Sequence, residues 1–328
     1  MEGSNMAETA KLFEVPAQNL DFLESIRERL STYLRDTGKS QSQVAKAIGF
    51  SSATMTGFLR NSYQGDMVEV ANRIQDYLAR ETQRLVAPKA PEFALTSFSK
   101  HVLSVLQYAH LNRDMGMIHG DAGVGKTVTI EHYAAEHHNV IIITAGIDLC
   151  SPKAIIEEIL SKLGSKEYGS LSFMSRVAIQ LLKGSDKLLV IDEANHLNLR
   201  AREMIRKIHD QAGVGVVYCG SHDLYAQMHG NKGIIYAQLL SRIGVRRGLN
   251  RGELIMDDIS QIFEQYGQLS KDCLDFLYKC ALGEGGLRLA KKLYVLASTM
   301  AFGEEQPLSL SFMEKALQML MASHLKIK

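Results

Sequence analysis

Gly120-Asp-Ala-Gly-Val-Gly-Lys-Thr127 sits between the apolar run Met115 to His119 and a helix-like stretch from Lys126 to His138. The eight residues fit GxxxxGK[ST] at every fixed position, and strand, loop, helix is the context that gives this pattern its meaning. Glycines let successive backbone N–H groups turn inward around phosphate, and the helix N-terminus adds partial positive charge. The backbone of Gly120, Asp121, Ala122, Gly123, Val124 and Gly125 then forms the cradle, and Lys126 reaches the outer phosphates. Thr127 offers its hydroxyl to Mg2+, and Thr129 is grouped with the same site. The expected ligands are ATP and Mg2+.

From about residue 98, amphipathic helices alternate with short apolar runs: Met115 to His119, Val140 to Thr144, Leu188 to Ile191, Val214 to Cys219 and Gly244 to Gly248. Five strands separated by helices predict an α/β fold with a doubly wound parallel sheet. Leu188-Leu-Val-Ile-Asp-Glu193 is a strand ending in two carboxylates, placed where a strand next to the phosphate-loop strand could carry them. A buried run has no structural use for two adjacent acids. Here Asp192 would hold Mg2+ through its water shell and Glu193 would orient or deprotonate the attacking water, so loop and acid pair together imply ATP hydrolysis.

Punctuation sets the domain limits. Leu85-Val-Ala-Pro-Lys-Ala-Pro-Glu92 carries two prolines that forbid helix continuation. Before it, Leu20, Leu23, Ile26, Leu30 and Leu34, then Val68, Ala71, Ile74 and Leu78, recur at helical spacing. After Gly252 the alternation gives way to helical stretches at Asp257 to Tyr266, Lys271 to Leu282, Gly286 to Met300 and Ser309 to His324. The reading is an all-helical domain over 1–85, a linker over 86–97, the phosphate-binding core over 98–252 and a helical lid over 253–328.

Composition narrows the partners. Of 328 residues 46% are apolar and 22% charged, which excludes wholesale disorder. Lys plus Arg is 37 against 36 for Asp plus Glu, so any polyanion partner must be met by local clusters. Cys150, Cys219, Cys273 and Cys280 form no CxxC pair and no metal-ligand spacing, which fits a reducing cytoplasm. No apolar run approaches the roughly 20 residues of a membrane span, and the first residues lack a signal-peptide pattern.

Gln41 to Arg60 matches a helix-turn-helix. Ala45 is small enough for two helices to approach, Gly49 permits the tight turn, and Val44, Ile48, Met55 and Phe58 face inward. Ser52, Thr54, Thr56 and Arg60 are then the outward residues that meet duplex DNA. From Lys39 to Tyr63 there are three bases and no acid. Two further basic groups are candidates for phosphate contact without sequence readout: Arg200, Arg202, Arg206 and Lys207 after the acid pair, and Lys232, Arg242, Arg246, Arg247 and Arg251 in an acid-free stretch.

The order of these features resembles the AAA+ superfamily, whose five-stranded core carries the phosphate loop after the first strand and the acid pair after the third. The resemblance implies a polar sensor after the fourth strand, with Ser221 first and His222 second in Cys219-Gly-Ser-His222. It also implies a finger arginine reaching a neighbouring subunit's nucleotide, with Arg242 first and Arg246 second in Ser241-Arg-Ile-Gly-Val-Arg-Arg247. Arg288 in Gly285-Gly-Leu-Arg288 resembles the second sensor. Within the superfamily, the stretches Leu189 to Leu197, Gly220 to His222, Ala237 to Ile243 and Gly286 to Arg288 resemble the transposition regulators typified by phage Mu transposition protein B, with TnsC and IstB as relatives. That branch implies a homo-oligomer or helical filament on double-stranded DNA, largely without sequence specificity, which recruits and activates a transposase and disassembles after hydrolysis. A finger serving the next subunit is a head-to-tail contact, which builds rings or open helices. The alternatives are a replication helicase or clamp loader, and an ATP-sensing helix-turn-helix transcription regulator.

Overall fold

The computed structural model describes residues 17–86, 89–229 and 233–322, and the chain divides between positions 87 and 88 into two compact units. The first contains α1 (Ala17–Thr37), α2 (Gln41–Ala47), α3 (Ser52–Leu59) and α4 (Met67–Val86). Ser40 starts α2 by a capping box, its Oγ accepting the Gln43 amide while Gln43 Oε1 accepts the Ser40 amide. Gly49 takes φ +79° in the turn that follows, a conformation open to glycine at little cost. Ser51 then accepts the Thr54 amide at 3.0 Å and starts α3. Val44, Ala45, Ile48, Met55 and Phe58 are buried against Leu23, Ile26 and Leu30 of α1 and Val70, Ala71 and Ile74 of α4. Leu20, read as part of the α1 stripe, is exposed, and Phe22 packs against the cluster instead.

The second unit opens with α5 (Ser97–Asn112), capped by Thr96. Then come β1 (Met115–Gly120), α6 (Lys126–Glu136), β2 (Val140–Thr144), α7 (Pro152–Lys162), α8 (Leu171–Leu182), β3 (Leu188–Asp192), α9 (Leu199–Ala212), β4 (Gly215–Gly220), α10 (His222–His229), α11 (Gly233–Leu240) and β5 (Ile243–Leu249). Four helices follow: α12 (Met256–Phe263), α13 (Lys271–Leu282), α14 (Gly286–Gly303) and α15 (Leu310–Ala322). His324, where the last helix was expected to end, lies outside the described residues, as do positions 87 and 88 of the expected linker.

All five strands are parallel, in the order β2-β3-β4-β1-β5. The acid-pair strand is therefore not beside the phosphate-loop strand as the sequence suggested. Strand β4 lies between them, pairing Met115 with Val216 on one side and Leu188 with Gly215 on the other. The period of two sends Leu189, Ile191, Val216 and Tyr218 into one apolar cluster with α7 to α11. Leu188, Val190, Val217 and Cys219 enter a second with α5, α6 and α12 to α15. Because both faces are covered, β3 is buried throughout and its sequence is a continuous apolar run. Parallel strands all end at the same edge, which brings the loops after β1, β3 and β4 together there.

Phe58 is fully buried at the centre of the first unit. Replacing it by alanine is expected to destabilise that unit by about 3–5 kcal/mol, read as a lower urea midpoint; a loss below ~1 kcal/mol would mean the core does not depend on it.

Candidate nucleotide site

Gly120 at φ +154°, Gly123 at +79° and Gly125 at +92° fold the loop after β1. A Cβ at Gly120 would strike the Leu249 carbonyl oxygen and one at Gly123 the Gly285 carbonyl oxygen, so small residues here are a packing requirement too. Lys126 and Thr127 begin α6. The Lys126 ammonium donates to the carbonyls of Gly120 at 2.9 Å and Asp121 at 2.8 Å, closing the loop on itself. Across the sheet edge, Thr127 Oγ1 donates to Asp192 Oδ2 at 2.7 Å. The other oxygen of Asp192 accepts the Glu193 amide at 2.9 Å, and the carboxylate is only 2% exposed. Glu193 has φ +51°, a left-handed backbone that a non-glycine residue adopts under constraint, and its side chain is exposed. Burial and the neighbouring Asp192 push the Cys219 thiol well up, so it stays protonated beneath the acid pair.

A cavity of about 250 Å³ opens between this loop and α14. Gly123, Lys126, Thr127, Glu193, Arg288 and Lys291 line it, so three cations and one carboxylate face the same space. The Leu287 amide donates to the Gly123 carbonyl at 2.9 Å and ties the start of α14 to the loop. The donor set suits a magnesium triphosphate: backbone amides and ammonium for phosphate oxygens, with a hydroxyl and a carboxylate already in contact for a hard cation. Bound magnesium would supply charge neutralisation there.

Several residues named from sequence have other duties. Thr129 is 2% exposed and donates to the Gly125 carbonyl at 2.9 Å, so in this structure its hydroxyl braces the loop. The Ser221 hydroxyl accepts the Asp223 amide at 3.2 Å and starts α10, while the Ser221 amide donates to Asn195 Oδ1 at 3.1 Å. Its hydroxyl serves as a cap, while His222 Nε2 lies 3.5 Å from Asp121 Oδ1 of the loop. Arg242 is exposed, its Nε donating to Asp210 Oδ1 at 2.9 Å. Arg246 bonds His229 and the Leu240 carbonyl.

Folding thins the two cation rows. Arg202 has no exposed surface and is removed from any nucleic-acid face. Arg206 is held by Glu203 at 3.0 Å and Asp210 at 2.7 Å; Lys207 is exposed. Arg247 pairs with Glu253, and Lys232 lies outside the described residues. Within the acid-free stretch Arg242, Arg247 and Arg251 meet Asp210, Glu253 and Asp121, while Arg246 meets no acid among the described contacts.

Sequence reading missed Asn195 and Lys291, and it named Arg251 only as a candidate phosphate contact. The Arg251 amide donates to Asp121 Oδ2 at 2.8 Å and its guanidinium to the Gly283 carbonyl, clamping loop to lid. That amide is the main cause holding the Asp121 carboxyl below its usual range. No local pattern marks Arg251, whereas Asn195 stands two residues after Glu193 and Lys291 one helical turn beyond Arg288.

Fold and site together define a P-loop nucleoside triphosphatase. A family model described as an AAA domain matches residues 109–228. The chain is similar to the phage Mu B transposition proteins. It is 28% identical over 271 residues to the Mu-like prophage FluMu DNA transposition protein B of Haemophilus influenzae, covering 81% of this chain and 94% of that protein. It is 27% identical over 298 residues to the ATP-dependent target DNA activator B of Escherichia phage Mu, covering 90% and 95%. Among solved structures, domain III of the Thermotoga maritima replication initiation protein DnaA is similar with a TM-score of 0.46 and 16% identity, covering 69% of this chain and 93% of that one.

Lys126→Ala is expected to weaken ATP binding by roughly 100-fold, the ~2.7 kcal/mol of two charge-assisted hydrogen bonds, in a fluorescent-nucleotide titration. Retained affinity would exclude Lys126 as a phosphate ligand.

Proposed function

We propose that this protein is an ATP-dependent, DNA-binding regulator of DNA transposition, which assembles on duplex DNA with ATP bound and leaves it after hydrolysis. The Thr127–Asp192 contact carries the ATPase part of this reading, because it joins the phosphate loop to the acid pair at one sheet edge. The names of the Mu-type relatives support the transposition part.

Lys126 and the loop amides bind the phosphates, Thr127 and Asp192 hold Mg2+, and Arg288 and Lys291 approach from the lid. Glu193 faces the cavity and takes the proton of the attacking water. Arg242 serves the neighbouring subunit: it is exposed, and Asp210 engages only its Nε edge in the described contacts, leaving the terminal nitrogens for a phosphate oxygen. Such a contact is head to tail, which favours a helical filament.

DNA meets the first unit through the helix-turn-helix. Ser52 and Arg60 are exposed and Thr54 and Thr56 half-buried on α3. Lys39 is drawn off by Glu81 at 2.6 Å, so Lys46 and Arg60 supply the charge and readout is weak in sequence. Lys207 adds a phosphate contact from the second unit. The partner is a transposase, and the place of action is the cytoplasm, where the DNA is; among the described residues no helix is long and apolar enough to cross a membrane.

Glu193→Gln is expected to bind ATP normally and to lower kcat by about 10²–10⁴, while remaining on DNA in electron micrographs. Arg242→Ala is expected to lower DNA-stimulated kcat by about 10³ or more without loss of ATP affinity. Wild-type turnover by Glu193→Gln would falsify the base assignment, and wild-type turnover by Arg242→Ala would remove the finger. A protein that stays monomeric with duplex DNA and ATP, in sedimentation and by microscopy, would overturn the assembly reading.

A further inference from the structure

Arg202 of α9 is the largest side chain with no exposed surface among the described residues. Its terminal nitrogens donate to the Ala194 carbonyl at 3.0 Å, to Gln227 Oε1 at 2.6 Å and to the Tyr236 hydroxyl at 3.3 Å, with a longer contact to the Asn195 carbonyl at 3.5 Å. The guanidinium carbon lies 5.4 Å from the Tyr236 ring centroid, and Nε is buried with no partner among the described residues. Every one of these acceptors is a neutral oxygen. A buried cation without a carboxylate is a poor way to stabilise a core, and an apolar side chain of similar volume would pack at lower cost. Its presence calls for another reason, and the positions of its acceptors supply one.

Ala194 and Asn195 are the two residues after Glu193, in the short 3₁₀ turn that follows β3. Glu193 itself holds a left-handed backbone, which persists only where the surroundings over-determine it. Arg202 grips the carbonyls immediately downstream. Gln227 of α10 reinforces the grip, since its Nε2 also donates to the Asn195 carbonyl at 3.3 Å. On its other side Arg202 holds Tyr236 of α11, the helix that ends two residues before Arg242. One guanidinium thus touches the turn that aims the base and the helix that leads to the finger.

We propose that Arg202 is a positioning residue for hydrolysis: it sets the turn that orients Glu193 and links that turn, through Gln227 and Tyr236, to the segment carrying Arg242. The proposal rests on the reading of Glu193 as base and Arg242 as finger. It makes the charge of Arg202 matter to turnover and not to nucleotide affinity.

The test uses the full-length protein with Mg-ATP and duplex DNA, comparing Gln227→Leu, Tyr236→Phe, Arg202→Lys and Arg202→Met by kcat, KM, fluorescent-nucleotide affinity and melting temperature. Gln227→Leu and Tyr236→Phe keep the buried cation and remove one partner each, so they decide the matter even where Arg202→Met fails to fold. Each is expected to lower kcat about tenfold, with KM and nucleotide affinity within twofold and a folded protein whose melting temperature falls modestly, because a buried donor loses a partner. Arg202→Lys is expected to recover part of the rate lost in Arg202→Met. In a Glu193→Gln background, Gln227→Leu should add less than twofold, because both act on the same step. Unchanged kcat in the folded single variants, or a full tenfold loss on top of Glu193→Gln, overturns the proposal. Glu193→Gln turning over like the wild type removes the underlying base reading as well, whereas a stalled Glu193→Gln with unaffected Gln227→Leu and Tyr236→Phe removes the coupling alone.

Discussion

The 2.7 Å hydrogen bond from Thr127 to Asp192 depends on the whole second unit being built as it is. The two residues are 65 positions apart in the chain, one at the start of α6 after β1 and the other at the end of β3, and those strands are not neighbours. They meet because β1 and β3 flank β4 in parallel and end at one edge. Asp192 is buried there, and a buried carboxylate must be satisfied. The Thr127 hydroxyl and the Glu193 amide do so from opposite sides, which fixes loop and acid pair relative to each other.

Charge is distributed with the same economy. Arg242, Arg247 and Arg251 look from sequence like a basic patch, but each meets an acid from elsewhere in the chain: Asp210, Glu253 and Asp121. Exposed pairs of this kind contribute little stability, about 0–1 kcal/mol each. Their effect is geometric. Arg251 binds the phosphate loop to the lid through Asp121 and the Gly283 carbonyl, and Arg242 is presented at the surface by Asp210. Arg202, buried in the interior, has neutral acceptors, and it lies beneath the turn that follows Glu193.

Much of the fold was legible because its signals are local. The apolar run Val140 to Thr144 is β2 to the residue, and the other four strands differ from their runs by one or two positions. Gly49 was readable as a turn because only the left-handed region, here φ +79°, makes that turn. Glu193 and the phosphate loop were readable because their spacing follows from the chemistry of phosphate. The backbone duties of Thr129 and Ser221 were not legible for a common reason: a hydroxyl near a motif can serve the backbone as readily as a ligand, and which it does depends on the amides and carbonyls that folding brings near it.

From sequence alone came the elements, their order along the chain, the phosphate loop and the acid pair, since hydrophobic period, glycine placement and capping act over a few residues. Tertiary structure alone decided that β4 separates β1 from β3, that Arg202 is buried while Lys207 is exposed, and that Arg251 serves as a clamp. Those outcomes turn on contacts between segments tens of residues apart, where many pairings satisfy the same local pattern and packing selects among them.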